Sequence, residues 1–247
     1  MSCNCAFPES WRVLAILAHS RTVCVEKLCD AEGLEVVRKS YRFPTAKDRR
    51  RGMLRGTFFG PAKAVRELHN LEYLKLAGVP AIEGIRACVL RNTCGFVVEC
   101  HLLTKASAGS NLQQMLQRGE MPAPKIWGAF GQSISRMHQV NFWHRGLAPR
   151  NVLVETTAPF HRWLDPAKSK IFSRNITSAA RADDLLRFWN PLHKVVPAAH
   201  KAAFELAYGQ DGVSDPANLW PAIPKAKRAS TARVLHRDET RCEESLS

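Results

Sequence analysis

Apolar runs alternate with polar turns over the first part of the chain. Runs rich in Val, Ile and Leu cover residues 12–17, 22–28 and 34–41, and polar or glycine-bearing segments separate them. Runs of this length between turn residues are typical of β-strands. We predict an antiparallel meander here, followed by two further strands over residues 85–90 and 95–103.

A helix is predicted between these strands, over residues 61–77. The segment starts with a proline and stops at Gly78, with another proline at position 80, which are usual signals for the two ends of a helix. Its apolar residues recur at helical spacing: Val65, Leu68, Leu71 and Leu74.

The pattern becomes mainly helical beyond Thr104. Helices are predicted over residues 111–117, 123–140, 179–189 and 198–208, with short strand-like runs at 151–155 and 162–164. The fold class is therefore predicted as α+β. An N-terminal lobe over residues 1–104 would hold a five-stranded sheet and one helix, and a reduced, mainly helical C-terminal lobe would cover residues 105–224.

The composition is that of a globular protein without a membrane span. Of the 247 residues, 45% are hydrophobic and 23% charged, and the longest apolar run, residues 13–18, is too short to cross a bilayer. The N-terminus has no basic region followed by an apolar stretch, so we expect a cytoplasmic protein. The eight cysteines include no Cys-x-x-Cys pair, which favours reduced thiols over a zinc site.

Positive charge is the strongest compositional signal. The formal net charge is +14, which predicts attraction to polyanions such as phosphorylated lipid, nucleic acid or an anionic membrane. The charge is concentrated in a predicted loop over residues 47–55 and in a basic tail over residues 225–247, which we expect to be disordered. A simple solvated surface is the alternative interpretation, and for the tail it is the favoured one.

The most informative motif begins at His144. Residues 144–151 read His-Arg-Gly-Leu-Ala-Pro-Arg-Asn, and the kinase catalytic loop His-Arg-Asp-Leu-x-x-x-Asn has the same residues at the same spacing except at one position. Gly146 occupies the position of the aspartate that acts as the catalytic base. No residue of the chain is therefore assigned as a certain catalytic residue, and His144 is interpreted as a structural residue of the loop.

A magnesium site is predicted at Asn151 and Asp165. A kinase loop brings an amide oxygen to the metal from its far end, and a carboxylate one short hairpin later completes the pair of oxygen donors. Asp165, in Leu164-Asp165-Pro166, stands at the distance expected for that carboxylate. Ordinary turn chemistry is the alternative role for both residues.

The third predicted strand carries a candidate nucleotide-binding lysine. Residues 36–39, Val-Val-Arg-Lys, resemble the Val-Ala-Ile-Lys of kinases, and the period of a strand places Val37 and Lys39 on one face, toward a nucleotide. A kinase lysine is held by an acid on the following helix, for which Glu67 is the first choice and Glu72 the second. A plain surface charge is the alternative role for Lys39.

Together, these segments resemble the lipopolysaccharide kinase family, which includes heptose and Kdo kinases, over residues 36–189. The resemblance implies a protein-kinase-like fold, ATP and Mg²⁺ as cosubstrate and cofactor, and phosphorylation of an inner-core sugar of lipopolysaccharide or another small or lipid-linked acceptor. It also implies work at the inner face of the cytoplasmic membrane, because the family's acceptors lie there.

Gly146 leaves three functions open. A glycine cannot accept the proton of the acceptor hydroxyl, so the enzyme is either an impaired sugar kinase or a pseudokinase that binds nucleotide or a partner without turnover. The third function is a polyanion- or membrane-binding module built on a kinase-like core. We rank the kinase first.

Overall fold

The structure, a computed structural model, describes residues 11–30 and 32–209. Within that range the chain divides into two units. The first comprises residues up to 76 and residues 81–108, and the second comprises residues 77–80 and the chain from 109 onward. The predicted basic tail, residues 225–247, lies outside the described residues.

A five-stranded antiparallel sheet forms the first unit, as the sequence predicts. Its strands follow the order β1-β2-β3-β5-β4 across the sheet. The central strand β3 pairs with β2 on one side and with β5 on the other, with Lys39 opposite Val25 and Leu102. The strands are β1 (Arg12–His19), β2 (Val23–Cys29), β3 (Glu35–Arg42), β4 (Gly84–Arg91) and β5 (Val97–Lys105).

The sequence predicts a basic loop at residues 47–55, and this prediction is wrong, because the segment is helical. It consists of α1 (Ala46–Asp48), a π-helical turn (Arg49–Met53) and α2 (Leu54–Phe58). Thr45 caps its start by accepting a hydrogen bond from the Asp48 backbone N–H at 3.2 Å. Thr57 ties its end to the sheet, since its hydroxyl donates to the Met53 carbonyl at 2.7 Å and accepts from the Val97 N–H at 3.0 Å.

The helix α3 (Lys63–Leu76) packs beside this sheet, and its buried face coincides only in part with the one its apolar spacing indicates: Leu71 and Leu74 are buried as predicted. Val65 is exposed, and Leu68 is only half-buried. The buried residues recur at three- and four-residue intervals and include a glutamate: Ala64, Glu67, Asn70, Leu71 and Leu74. A charged residue therefore occupies a core-facing position of the helix.

Four helices and three short strand pairs build the second unit. The helices are α4 (Leu112–Gln117), α5 (Pro124–Gln139), α6 (Ser178–Trp189) and α7 (Ala198–Gly209). The hairpin β8 (Val152–Val154) and β9 (His161–Trp163) pairs with β6 (Ser110–Asn111), and β7 (Phe142–Trp143) pairs with β10 (Lys170–Ile171). An aromatic core fills the space between them: Trp127, Phe130, Trp163, Phe188 and Phe204.

Helix α5 approaches α7 so closely that one of its glycines has no space for a side chain. A Cβ placed on Gly131 would lie 2.3 Å from the backbone oxygen of Phe204 on α7. One turn earlier on the same helix, a Cβ on Gly128 would lie 3.6 Å from the backbone oxygen of Ala203, an ordinary contact. The glycine at 131 therefore permits the close packing of the two helices.

No helix in the described part of the chain is both long enough and apolar enough to cross a membrane.

Gly131 and Gly128 on α5 provide a matched test of the packing between α5 and α7. We expect Gly131→Ala to lower the free energy of unfolding by about 1–3 kcal/mol, because the added methyl group overpacks the contact with α7. We expect Gly128→Ala to leave it unchanged or to raise it by up to about 1 kcal/mol, because alanine favours the helix. Urea denaturation of both variants measures the difference. Equal effects of the two substitutions would contradict the packing described here.

Candidate active site

In the first unit, Lys39 and Tyr41 lie on the same face of β3. The opposite face carries Val36, which packs with Leu28 and Leu103. The Lys39 Nζ lies 3.0 Å from Glu67 Oε1 on α3. The contact expected between this lysine and an acid on the following helix is thus present, and the second choice, Glu72, is exposed instead.

The Glu67 carboxylate is buried, with 2% of the residue exposed, and it is satisfied from two sides. Lys39 donates to one oxygen, and the hydroxyl of the buried Tyr41 donates to the other in a short hydrogen bond. Lys63 stacks over the Tyr41 ring, with its Nζ 4.1 Å from the centroid. A buried carboxylate needs such partners, so the position of Lys39 is part of what stabilises this unit.

The turn between β1 and β2 has no glycine, yet it is tight. The Ser20 N–H donates to the Val23 carbonyl at 2.7 Å, and the Ser20 hydroxyl accepts from the Val23 N–H at 3.1 Å. Arg21, at the tip, forms an exposed ion pair with Asp48 at 3.2 Å. The hydrogen bond from Thr45, with a smaller contribution from Arg21, holds the pKa of Asp48 below its ordinary value.

In the second unit, the hairpin of β8 and β9 brings Asn151 and Asp165 to the same end. Val152 is paired with Trp163, and beyond this pair the Leu164 N–H donates to the Asn151 carbonyl at 2.9 Å. Asn151 therefore lies opposite Leu164, and Asp165 is the next residue along the chain. The predicted ligand pair is adjacent because both residues leave one hairpin at its open end.

The orientation of Asn151 fits an oxygen ligand for a hard cation. Its side-chain N–H donates to the Gly146 carbonyl at 2.8 Å, which leaves the amide oxygen as the remaining acceptor atom. Asp165 has a left-handed backbone (φ 54°) and begins the 3₁₀ turn Pro166–Lys168. The described residues contain no cluster of three or more His, Cys, Asp and Glu side chains suited to a metal. One amide and one carboxylate suit Mg²⁺, which keeps several water or phosphate ligands.

Gly146, which stands where the kinase motif has its aspartate, has room for a Cβ atom. A Cβ on Gly146 would meet its nearest neighbours at 3.6 Å (His144 Nδ1) and 3.8 Å (Asn151 Nδ2 and the Asp165 backbone oxygen), which are ordinary contacts. The backbone of Gly146 is not in the left-handed region. Packing therefore does not require a glycine here.

Asp184, a residue that the sequence analysis does not identify, holds the start of the catalytic loop. This carboxylate on α6 is fully buried and accepts the backbone N–H groups of His144 and Arg145, each at 2.8 Å. Arg145 has a left-handed backbone (φ 60°), an unusual conformation for a residue other than glycine. The carboxylate stabilises this strained start of the loop by satisfying two N–H groups that would otherwise lack partners.

His144 has the structural role that was predicted for it. Its ring is fully buried beside the rings of Phe142 and Trp163. Burial lowers the pKa of His144 below its ordinary value, so the ring is neutral at neutral pH. The Ser169 hydroxyl donates to the His144 backbone carbonyl at 2.9 Å and fixes the loop from its other side.

The family model described as "Lipopolysaccharide kinase (Kdo/WaaP) family" matches residues 18–204, which is most of the chain. The chain belongs to the Kdo/WaaP lipopolysaccharide kinase family. Family membership supports a lipopolysaccharide-kinase-like function and the use of ATP. No curated protein matches the sequence closely enough to count as a relative.

A solved structure has the same fold as this member of the Kdo/WaaP family. The structure, described as "WaaP in complex with acyl carrier protein", matches with a TM-score of 0.54 and 15% sequence identity. The match covers 87% of this chain and 88% of the other. It confirms the predicted kinase-like fold, with an antiparallel sheet at the N-terminal side and helices beyond it.

The support that Asp184 gives the loop can be tested against its neighbour Asp183. We expect Asp184→Ala to lower the free energy of unfolding by about 2–5 kcal/mol, because one buried and one partly buried backbone N–H group lose their acceptor. Asp183, which is paired with Arg187 at 2.8 Å on the surface of the same helix, is the control. Asp183→Ala should change the unfolding free energy by less than about 1 kcal/mol. Denaturant titrations of both variants give the comparison, and a loss of similar size in the two would refute the role of Asp184.

Proposed function

We propose that this chain is an ATP-dependent kinase of a lipopolysaccharide inner-core sugar whose catalytic loop lacks the carboxylate base. The observation that carries this proposal is the set of hydrogen bonds that hold the loop around Gly146. Asp184 holds its start, and at its end the side-chain N–H of Asn151 donates to the Gly146 carbonyl, which leaves the amide oxygen as an acceptor. Of the residues that the kinase catalytic-loop motif requires, only the aspartate at position 146 is missing.

The residues assigned to Mg-ATP are those that the sequence analysis identifies. Lys39, held by Glu67, is assigned to the α- and β-phosphates, and Val37, two residues before it, to the nucleotide. Asn151 and Asp165 are assigned to Mg²⁺. When bound, the metal ion would neutralise charge on the phosphate oxygens. The lysine needs no rearrangement to meet its glutamate, because their ion pair is already formed.

The loss of the base lowers the rate without removing the rest of the machinery. Phosphoryl transfer depends mainly on positioning and on charge stabilisation, which the lysine and the metal ligands would supply. A positioned general base typically adds about 10²–10⁴-fold to a rate. At position 146 a glycine leaves the proton of the acceptor hydroxyl to water or to the phosphate itself.

A lipid-linked acceptor would bring the protein to an anionic membrane surface. The helical segment 46–58 exposes Lys47, Arg49 and Arg50, whose charge suits such a surface. We propose a location on the inner face of the cytoplasmic membrane for this reason.

Metal-dependent binding and transfer are the first test. We expect the full-length protein to bind Mg-ATP and to transfer labelled γ-phosphate slowly to a dephosphorylated core oligosaccharide. Asp165→Ala should abolish the magnesium-dependent part of both the binding and the transfer, because it removes the only carboxylate of the proposed ligand pair. Calorimetry measures the binding, and autoradiography of the oligosaccharide measures the transfer. A correctly folded protein that binds no nucleotide would end the proposal.

Restoring the carboxylate is the second test. We expect Gly146→Asp to raise the rate of phosphate transfer by about 10²–10⁴-fold, because a Cβ atom is accommodated there and the carboxylate supplies the missing base. Gly146→Asn adds a side chain of the same size without a basic group, so it is the control and should give no gain. Single-turnover assays with saturating Mg-ATP compare the three proteins. Equal rates would show that the absent base is not what limits the reaction.

A pseudokinase is the second candidate, and the glycine at position 146 is the observation that favours it. Such a protein would be stabilised by nucleotide without any turnover, and Gly146→Asp would leave it inactive. Transfer of phosphate by the wild-type chain would exclude this candidate.

A further inference from the structure

Five exposed cations lie in the catalytic loop and in the segment that follows Asp165. None of them forms an ion pair with a carboxylate of the described residues, and residues 166–175 contain no acidic residue. Elsewhere in the same unit, Arg118, Arg162 and Arg187 each pair with a nearby acid. The five are Arg145, Arg150, Lys168, Lys170 and Arg174.

Two of these cations are stacked on a pair of neighbouring aromatic rings. Arg145 lies over the ring of Trp143 at 4.8 Å, and Lys170 lies over the ring of Phe172 at 4.6 Å. The two rings are 6.1 Å apart. Lys170 is also paired directly with Trp143 in the short sheet of β7 and β10. These four residues form what we call the cation–aromatic cluster.

The cluster is fixed next to the position of the missing base. Arg145 immediately precedes Gly146, and its backbone N–H is held by Asp184. On the other strand, Ser169 precedes Lys170 and donates to the His144 carbonyl at 2.9 Å. Arg145 therefore belongs to the catalytic loop, and Lys170 directly follows a residue that is bonded to it.

We propose that the cation–aromatic cluster binds an anionic group of the acceptor sugar, a carboxylate or a phosphate. The acceptor class rests on the function proposed above. Two cations without acidic partners favour an anionic ligand, and stacking on aromatic rings restricts both side chains before the ligand arrives. The guanidinium group can also form two parallel hydrogen bonds to a carboxylate or phosphate. The anion would hold the sugar with its hydroxyl near position 146.

Lys125 supplies a matched control for this cluster. It is an exposed lysine of the same unit, and its Nζ lies over the ring of Phe160 at 5.1 Å. Phe160 directly precedes β9, at the end of the hairpin away from Asn151 and Asp165. Lys125→Gln therefore removes the same charge and the same type of stacking at a place that the proposal leaves without a ligand.

Calorimetric titration of the full-length protein with deacylated lipopolysaccharide core oligosaccharide tests the proposal. We expect Lys170→Gln and Arg145→Gln each to weaken binding about 10- to 100-fold, because each loses a charge-assisted contact. Lys125→Gln should bind as the wild type does. The proposal is overturned if the wild type shows no binding, if the two cluster variants bind normally, or if the control loses as much affinity.

Two modified oligosaccharides identify the anion. One has its carboxyl groups reduced to alcohols, and the other is treated with phosphatase. Loss of affinity for the first assigns the cluster to a sugar carboxylate, and loss for the second assigns it to a sugar phosphate. Unchanged affinity for both would overturn the proposal.

Failure of the further inference can be told apart from failure of the proposed function. The cluster variants should bind Mg-ATP with the affinity of the wild type, because Lys39, Asn151 and Asp165 are intact in them. Absence of phosphate transfer together with anion-dependent oligosaccharide binding would reject the kinase and retain the cluster. If both cluster variants transfer phosphate at the rate of the wild type, the kinase function is retained and the role of the cluster is rejected.

Discussion

A buried carboxylate must find partners, and this requirement positions the candidate functional groups in both units. Glu67 in the first unit and Asp184 in the second are almost completely removed from solvent. The first is satisfied by Lys39 and Tyr41, and the second by two backbone N–H groups of the catalytic loop. Removing one partner of a buried charge is strongly destabilising, so the same contacts that stabilise each unit also fix its functional residues.

This coupling explains how the catalytic loop keeps its shape without the base. The loop geometry depends on hydrogen bonds to the loop backbone from three side chains: Asp184, Ser169 and Asn151. The side chain at position 146 contributes to none of these contacts. An aspartate there would serve the chemistry alone, because other residues make the contacts that hold the loop. Stability and catalysis are therefore separable at this one position.

The parts of the fold that the sequence predicts are those determined by local spacing. Alternation and turns locate the five strands, and the spacing of Asn151 and Asp165 follows from one hairpin. The helical segment 46–58 escapes prediction because its basic run has no apolar periodicity, although Thr45 followed by Asp48 is a capping signal. The burial of Glu67 and Asn70 on α3 and the role of Asp184 depend on contacts distant in sequence. Of the two adjacent aspartates on α6, periodicity cannot tell which accepts from the loop.

The distribution of charge pairs gives the large positive net charge a more specific meaning. On the sheet of the first unit, several cations are neutralised nearby, as Arg38 is by Glu26, Arg42 by Glu99 and Lys105 by Glu83. Around the catalytic loop, by contrast, the five exposed cations form no ion pair with an acid of the described residues, and the buried Asp184 accepts backbone N–H groups instead. Repulsion among like charges disfavours this arrangement unless an anion is bound nearby. The excess charge next to Gly146 is what the proposed anionic group of the acceptor would meet, whereas charge that serves solubility can lie anywhere on the surface.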